Sequence, residues 1–552
     1  MTPPTSGSGE LVVVLAAGRG TRARIYGPWL HKALLPLGSR SVLSRLLAHF
    51  RADARFVFAI GHLGDQVQAY VELAHPDLDA TFVRVESYTG PGTGPATSLL
   101  ACRDHLDRPF TVTACDAVYD APLPGPGENW IGVAAIDDPE NWCTVQVDGT
   151  QVTGLAYRDP QGTGLAYTGT AHVHDVEPFL IGLESTVQSG EVVLDPGFLK
   201  LRRHGLVAKE VAWRDAGNEE TYSAVRATFD DETTVAGKTS DLTYLLDDRV
   251  LKLMSDSGTA ENLYERGRSL AGLTPTVTGC AGGVLATTRI HDAVDLDAFE
   301  PTAIQRCLEW VEAGLWEREV HDHAPDAVDS AVRSMYVDKT SARVADLLGR
   351  LPGLDDYSVV NGIDCPPIAE LIESVASDGA DVLSGAVIAP VHGDLHSENV
   401  LIDSEGGLWL IDWRSDFGGL TDVGDVTYDL AKMVHTLEFS TPVMIKHLFT
   451  IEDVASGEVR IAHEGIDELA ASREAFWAFV ASRGYDERRV AVVDALVFLS
   501  MSPLYDEAIG RYLFVLGKVL LTGALDPRTS GRTAFDQVFG RTSGSDASSA
   551  AP

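Results

Sequence analysis

Val391-His392-Gly393-Asp394-Leu395-His396-Ser397-Glu398-Asn399-Val400-Leu401-Ile402-Asp403, closed by Leu408-Trp409-Leu410-Ile411-Asp412-Trp413, is the stretch on which the reading of the chain turns. Two apolar runs, 399–402 and 408–411, flank the polar, glycine-rich spacer Asp403-Ser404-Glu405-Gly406-Gly407, a pattern that predicts a β-hairpin. Asp394, Asn399 and Asp412 fall at its rims. The order Asp-x-x-x-x-Asn, with a second Asp one strand later, supplies what phosphoryl transfer from ATP needs. One carboxylate accepts the proton of an attacking hydroxyl; an amide and a second carboxylate hold Mg²⁺ on the triphosphate. The bland alternative is a polar turn with incidental acids, but residue types, spacing and flanking strands agree with one another.

Working outward, the chain has 552 residues, too many for one ordinary core, so two or three domains are expected. Its 43 Lys+Arg stand against 80 Asp+Glu, a formal net charge of −37. So acidic a surface repels a phosphate backbone and an anionic bilayer, which disfavours nucleic acid and membrane as partners. No apolar run reads as a spanning helix, and the start, Met1-Thr2-Pro3-Pro4-Thr5-Ser6-Gly7-Ser8-Gly9, lacks a basic-then-apolar signal pattern, so a cytoplasmic location is expected. The six cysteines are scattered without a Cys-x-x-Cys pair and read as reduced thiols. Homo-oligomerisation is left open.

In the first half, Leu11-Val12-Val13-Val14-Leu15 reads as a buried strand that runs into Ala16-Ala17-Gly18-Arg19-Gly20-Thr21-Arg22. Glycines at a strand end let backbone amides approach a phosphate, and Arg22 and Lys32 add positive charge for a triphosphate. Gly18-x-Gly20-x-x-Ala23 also fits a loose dinucleotide fingerprint; that fingerprint wants an acid near the end of the next strand, where this chain offers Lys32. Residues 55–61 and 109–116 read as further strands, the second ending at Asp116. Alternating strands follow at 130–136, 144–147, 152–157 and 167–174. His172-x-His174, with no third ligand evident, reads as a pair of surface or substrate-pocket residues.

The run Leu-Ala-Ala-Gly-x-Gly-Thr-Arg, with Lys32 before Leu34-Leu35-Pro36-Leu37, resembles the sugar-phosphate and choline-phosphate nucleotidyltransferases, or pyrophosphorylases. His31 stands where that family usually has Pro. The resemblance implies a Rossmann-like α/β/α sandwich, with Leu15, Ala16, Ala17, Gly18, Gly20 and Thr21 around the nucleotide and Arg22 and Lys32 catalytic. It implies that Gly94 and Ser98, in Gly92-Thr93-Gly94-Pro95-Ala96-Thr97-Ser98, contact the base. It implies Asp116 as one Mg²⁺ ligand and Asp215, in Trp213-Arg214-Asp215-Ala216-Gly217-Asn218-Glu219-Glu220-Thr221, as the other. Taken singly, either acid would be a turn or cap residue.

The hairpin segment resembles the aminoglycoside phosphotransferase and choline kinase family, relatives of protein kinases, and implies a bilobal α+β domain. The resemblance makes Asp394 the catalytic base, Asn399 and Asp412 the Mg²⁺ ligands and His392 a support of the loop. In Gly424-Asp425-Val426-Thr427-Tyr428-Asp429-Leu430-Ala431-Lys432 it makes Asp429 a second support. Upstream, Arg249-Val250-Leu251-Lys252-Leu253-Met254 is an apolar strand with one lysine, the kinase pattern in which Lys252 grips ATP phosphates, and Glu265 on the following helix (259–273) is expected to pair with it. Residues 283–291 read as strand to hinge, placing Arg289 and His291 by the adenine. Helices are expected at 304–316, 341–351, 368–376, 471–482, 490–499 and 508–521. His321-Asp322-His323 reads as part of a charged linker.

Four segments follow: a leader (1–9), a nucleotidyltransferase domain (10–234), a kinase-like domain (235–527) and a tail (528–552). The expected function is bifunctional. ATP phosphorylates a small alcohol (choline-like, polyol or sugar), and NMP then passes from a second NTP, CTP favoured, to that phosphate with release of pyrophosphate. Mg²⁺ serves both sites, and nucleotides, the alcohol and its phosphate are the partners. A route to a UDP-, GDP- or dTDP-sugar, an aminoglycoside-type resistance kinase and a non-catalytic regulatory protein are the alternatives weighed.

Overall fold

In the computed structural model, which describes residues 9–20, 26–90, 92–185, 193–229, 241–319, 323–529 and 531–540, the apolar runs of the first half become one nine-stranded sheet. Its order is Asp79–Arg84, Arg55–Ile60, Leu11–Ala16, Phe110–Ala114, Leu165–Val173, Trp130–Ala135, Val207–Glu210, Gln151–Tyr157, Cys143–Asp148. The first four run parallel; Leu165–Val173 pairs antiparallel with Phe110–Ala114. Val12, Val13 and Val14 are wholly buried because both faces of this central strand are covered. Val12 and Val14 pack into one apolar cluster and Leu11 and Val13 into another, the period-two alternation of a strand between two layers.

The chain divides into two compact units, 1–264 with 277–289, and 265–276 with 290–552. The expected boundary at 234/235 lies outside the described residues, as do the glycine-poor loop around Gly237, Thr21, Arg22, His321 and Asp322. Beyond that boundary the first unit continues into a four-stranded sheet ordered Asp241–Leu245, Arg249–Met254, Val284–Thr288, Val277–Ala281. Its inward residues Leu242, Tyr244, Leu251 and Leu253 share an apolar cluster with Leu34, Tyr70 and Val71. The Tyr244 hydroxyl donates to the Leu34 carbonyl, and Arg249 Nη1 donates to the Leu73 carbonyl at 2.9 Å. No linker in composition marks this sheet off, because its apolar face is completed by the preceding residues.

The second unit is mainly helical. Ile368–Ala376 falls where expected, and Lys339–Arg350, Ala470–Arg483 and Glu487–Met501 lie within a few residues of expectation. The hairpin Phe449–Ala455 with Glu458–His463 was not foreseen. Glu507–Leu525 corrects the sequence reading: by length and composition it is apolar enough to cross a membrane. Here Leu513, Phe514, Leu516 and Val519 of that helix are fully buried in the lobe, with Lys518 ion-paired to Asp355 at 2.7 Å. Every residue of Val426–Glu438 is buried. Just before that helix, Asp425 accepts from Arg489 Nη1 at 3.1 Å and from the Tyr336 hydroxyl at 2.7 Å, tying three helical segments together at a charge that cannot be left unpaired.

His172 is neither surface nor pocket. The register puts it between Thr111 and Trp130 in mid-sheet, 2% exposed, its Nδ1 3.1 Å from the Thr111 hydroxyl. Burial lowers its pKa from 6.5 to about 4, lowers His75 to about 4 and, with the neighbouring Lys32 charge, His31 to about 3. In the second unit burial brings His463 to about 4. These folded values lie below the unfolded one, so below pH 6.5 the unfolded chain takes up protons that the folded chain refuses. Stability contributed by these histidines is therefore present above pH 6.5 and lost progressively towards pH 4. Thermal unfolding of the ligand-free chain should begin at lower temperature at pH 5 than at pH 7.5; an equal or higher unfolding temperature at pH 5 would contradict these assignments.

Candidate active sites

In the first unit, the ends of Leu11–Ala16 and Phe110–Ala114 open on a cavity of about 600 Å³, at the carboxyl edge where open α/β sheets hold ligands. Of the expected nucleotide residues, Leu15, Ala17, Gly18, Lys32, Gly94 and Ser98 line it. Ala16 is behind the wall, its carbonyl 3.1 Å from His31 Nε2. His31 also accepts the Ala33 amide on Nδ1 at 3.1 Å, capping the short turn Lys32–Leu34; so the residue standing in place of Pro fixes where Lys32 starts. Gly20 has φ 57°, and a Cβ there would press on the Lys32 stem at 3.1 Å.

Lys32 Nζ lies 2.7 Å from Asp116 Oδ2. Burial alone would lower the lysine; Asp116, with Cys115 and Asp215, outweighs it and holds Lys32 above its usual value. Asp215 is delivered beside Asp116 by the pairing of Trp213–Asp215 with Ala117–Tyr119, in which Asp215 faces Ala117, and by the Ala216 amide donating to the Asp116 carbonyl at 3.2 Å. The Thr221 hydroxyl donates to Asp215 Oδ2 at 3.0 Å, and Asn218 caps the following helix by accepting the Thr221 amide. Both carboxylates converge on Gly217: a Cβ there would meet Asp116 Oδ2 and Asp215 Oδ1, each at 2.9 Å.

Among the described residues no group of three or more His, Cys, Asp or Glu forms a ready metal cage. Two converging carboxylates still fit Mg²⁺, which takes one or two protein carboxylates and completes its shell with water and substrate phosphate. Sequence reasoning missed Tyr88, Tyr167 and Asp195, which also line the cavity. Burial raises the Asp195 carboxyl, whose oxygens are 3.6 Å from Cys143 Sγ, and the Tyr167 hydroxyl is buried without a hydrogen-bond partner among the described residues. No local motif announces them, since they come from three separate segments.

In the second unit the hairpin forms between Val400–Ile402 and Leu408–Leu410, with Asn399 in the tight turn Ser397–Asn399 before it. The Ile411 amide donates to the Asn399 carbonyl at 2.9 Å, which brings Asp412 beside Asn399. Asp412 holds a left-handed backbone, φ 59°, a conformation that aspartate tolerates better than most residues. Asn399 Nδ2 donates to the Asp394 carbonyl at 2.9 Å, so its oxygen is the atom left for a cation. An amide oxygen and a carboxylate are hard donors that suit Mg²⁺.

Asp429 lies behind the backbone of His392 and Gly393. Its fully buried carboxylate accepts the amides of His392 (2.8 Å) and Gly393 (2.6 Å) and the indole N–H of Trp316 (3.1 Å). His392 bridges the loop to the hairpin, Nε2 at 2.8 Å from the Ile411 carbonyl and Nδ1 accepting the Asp394 amide at 3.2 Å. The residue that sequence reasoning missed is Lys432, whose Nζ lies 2.9 Å from Asp394 Oδ1. Burial would raise Asp394; Lys432 first, then His396, overrides it and holds the carboxyl well below its usual range. The lysine thus favours the ionised form of Asp394.

The remaining expectations are less direct. Lys252 is half-buried at the centre of the four-stranded sheet, opposite Thr243 and Leu285, and belongs to the first unit; Glu265 belongs to the second. The expected partner of Glu265 was Lys252. Its carboxylate instead accepts from Arg268 at 3.4 Å, one turn along its own helix, where neighbours on a helix face meet. Arg289 is committed to backbone, Nη1 donating to the Leu246 carbonyl at 2.8 Å, and His291 is exposed.

Because both acids point at Gly217, Gly217→Ala should push them apart and weaken Mg²⁺-dependent binding of a nucleoside triphosphate to the first unit by roughly tenfold or more, about 1.4 kcal/mol. Gly125→Ala, where a Cβ meets nothing within 4 Å, should not. Isothermal calorimetry compares them; equal affinities would remove Gly217 from the metal site.

Comparison with known proteins finds two families along the chain, the second match beginning within the first compact unit. Residues 12–123 match the MobA-like NTP transferase domain family, and residues 232–450 match the phosphotransferase enzyme family. No match is found among curated proteins. Solved structures similar to the chain include a Bacillus anthracis protein assigned as a glucose-1-phosphate thymidylyltransferase, in complex with a sucrose (18% identity, 42% of this chain and 98% of that one, TM-score 0.36). A UDP-glucose pyrophosphorylase complexed with UDP-glucose is also similar (13% identity, 40% and 98%, TM-score 0.35), as is a UTP-bound UGPase from Acinetobacter baumannii (14%, 40% and 93%, TM-score 0.34). The chain joins an NTP transferase domain of the MobA-like kind to a domain of the phosphotransferase enzyme family in one polypeptide.

Proposed function

We propose that the protein is a bifunctional enzyme that phosphorylates a small alcohol with ATP and then transfers NMP from a second NTP, CTP favoured, to the phosphorylated product, releasing pyrophosphate. The observation that carries this reading is that each compact unit holds its own lysine–carboxylate pair, partly shielded from solvent, beside the loop its motif singles out: Lys32 with Asp116, and Lys432 with Asp394. The two pairs are assigned to two reactions, and residues 235–527 are assigned to the phosphotransferase, including the sheet that packs into the first unit.

In the kinase reaction Asp394 accepts the hydrogen bond of the acceptor hydroxyl and takes its proton as the bond to the γ-phosphoryl forms, while Asp429 and His392 keep the loop rigid. Asn399 and Asp412 would hold Mg²⁺, and Lys252 would take the α- and β-phosphates of ATP. In the nucleotidyl transfer the acceptor phosphate attacks the α-phosphate in line, with no covalent enzyme intermediate. Lys32 stabilises negative charge on the reacting phosphates, assisted by Arg22; Asp116 and Asp215 would hold Mg²⁺; and Gly94 and Ser98 face the nucleotide. Mg²⁺, when bound, neutralises phosphate charge at both sites. The kinase comes first because the nucleotidyl acceptor must be a phosphate.

The test separates the sites. Asp394→Ala should lower acceptor-dependent ADP release by about a hundredfold or more, with pyrophosphate release from a supplied phosphorylated acceptor retained. Asp116→Ala or Asp215→Ala should do the reverse and let the phosphorylated alcohol accumulate, as read by mass spectrometry. Loss of both activities in a folded single variant would contradict the two-site assignment.

A further inference from the structure

Around the proposed kinase base, this acidic chain concentrates positive charge that its own carboxylates do not neutralise. Lys339 and Arg343 stand one turn apart on Lys339–Arg350 and so share a helix face. Lys339 Nζ lies 5.9 Å from the centre of the Tyr428 ring, over its face, and Tyr428 is one turn before Lys432, the partner of Asp394. Arg414 arrives from the other side. Its amide donates to the His392 carbonyl at 3.1 Å, and its stem lies against Gly393, where a Cβ would meet it at 2.9 Å.

Among the described residues, none of Lys339, Arg343 and Arg414 is ion-paired to a carboxylate. Arg343 Nη1 donates to the carbonyl and hydroxyl oxygens of Ser500, both at 3.0 Å, and Arg414 Nε donates to the Asp416 carbonyl at 3.3 Å. The acids on the same helical stretch are engaged elsewhere, Asp338 with Arg333 and Asp346 with Arg350. Burial, then the charges of Arg414, Arg343 and Lys432, brings Lys339 down to about 7 against the pull of Asp394. In a chain with a net charge of −37, like charges set near one another without a carboxylate partner favour an anion at that place.

We propose that the alcohol phosphorylated at Asp394 already carries an anionic group, a phosphate, phosphonate or carboxylate, which Lys339, Arg343 and Arg414 bind while its hydroxyl faces Asp394. The proposal rests on the phosphotransferase reading and narrows it. Asn399 and Asp412, assigned to the ATP side, lie on the hairpin; Lys339 and Arg343 lie on the helical side, together with Lys432. A cationic acceptor such as choline or an aminoglycoside would meet repulsion from all of them.

The experiment titrates sn-glycerol 3-phosphate, glycerate, glycerol and choline into the full chain saturated with ADP and Mg²⁺, by calorimetry, and then offers each with ATP. The two anions, phosphate and carboxylate, should bind at least tenfold more tightly than glycerol, and choline should not bind measurably. Arg343→Gln and Lys339→Gln should each weaken anion binding at least fivefold, with ADP affinity within twofold of the unaltered chain, and Arg343→Lys should restore part of it. The relative strength of the two anions distinguishes a phosphate from a carboxylate subsite. No anion binding, anion binding indifferent to both variants, or tighter binding of choline or glycerol overturns the proposal. ADP affinity and the effect of Asp394→Ala report the phosphotransferase reading separately. Acceptor-dependent ADP release with choline or glycerol would leave that reading standing while sinking this one.

Discussion

A carboxylate partly shielded from water is held in its charged form by a positive partner within hydrogen-bonding reach, and this chain provides a lysine for each of its two central acids. Lys32 reaches Asp116 at 2.7 Å and Lys432 reaches Asp394 at 2.9 Å. Isolated, either acid would protonate or stay in solvent; paired, each is charged and fixed. The surrounding structure serves to hold these pairs. His31 caps the turn that starts at Lys32, and Gly20 leaves room for the lysine stem. On the other unit, the three hydrogen bonds to Asp429 pin the loop that carries Asp394, and the wholly buried helix Val426–Glu438 carries both Asp429 and Lys432.

The two sites differ in how their second acid is used. In the first unit Asp116 and Asp215 converge on the same point above Gly217, an arrangement that repels itself without a cation between. In the second, Asn399 contributes an amide where a third acid would add repulsion, and Asp412 is presented by a left-handed backbone at the end of the hairpin. As the proposed Mg²⁺ sites, both donor sets would leave room in the ion's shell for phosphate oxygens.

What the sequence made legible was local. The hairpin around Asp394, the strand Leu11–Ala16 with its glycine loop, and the helix Ile368–Ala376 each announce themselves through spacing, turn residues or periodicity within about twenty residues. What escaped is assembled from distant segments. Lys432 is only a letter after the Tyr-Asp-Leu-Ala run until the helix brings it back to Asp394. Asp195 and Tyr167 reach the cavity from separate elements, and Lys339 and Arg343 share a helix well upstream in sequence of the loop that holds Arg414. His172 reads as half-exposed on an alternating strand, but strands on both sides bury it. The strands Asp241–Leu245 and Arg249–Met254 read as the start of the kinase-like domain from an apolar run with one lysine; that their apolar face is shared with Leu34 and Tyr70 has no local signature. Glu265 has a partner one turn away that a pattern search for Lys252 passes over.

The central claim is that one polypeptide carries two separate nucleotide sites. The most direct measurement is the number of nucleotides bound per chain at saturation, by native mass spectrometry with Mg²⁺, a non-hydrolysable ATP analogue and a non-hydrolysable CTP analogue, singly and together. Two nucleotides per chain, one of each, with neither displacing the other, is the result this account predicts. A single bound nucleotide for which the two analogues compete would contradict it.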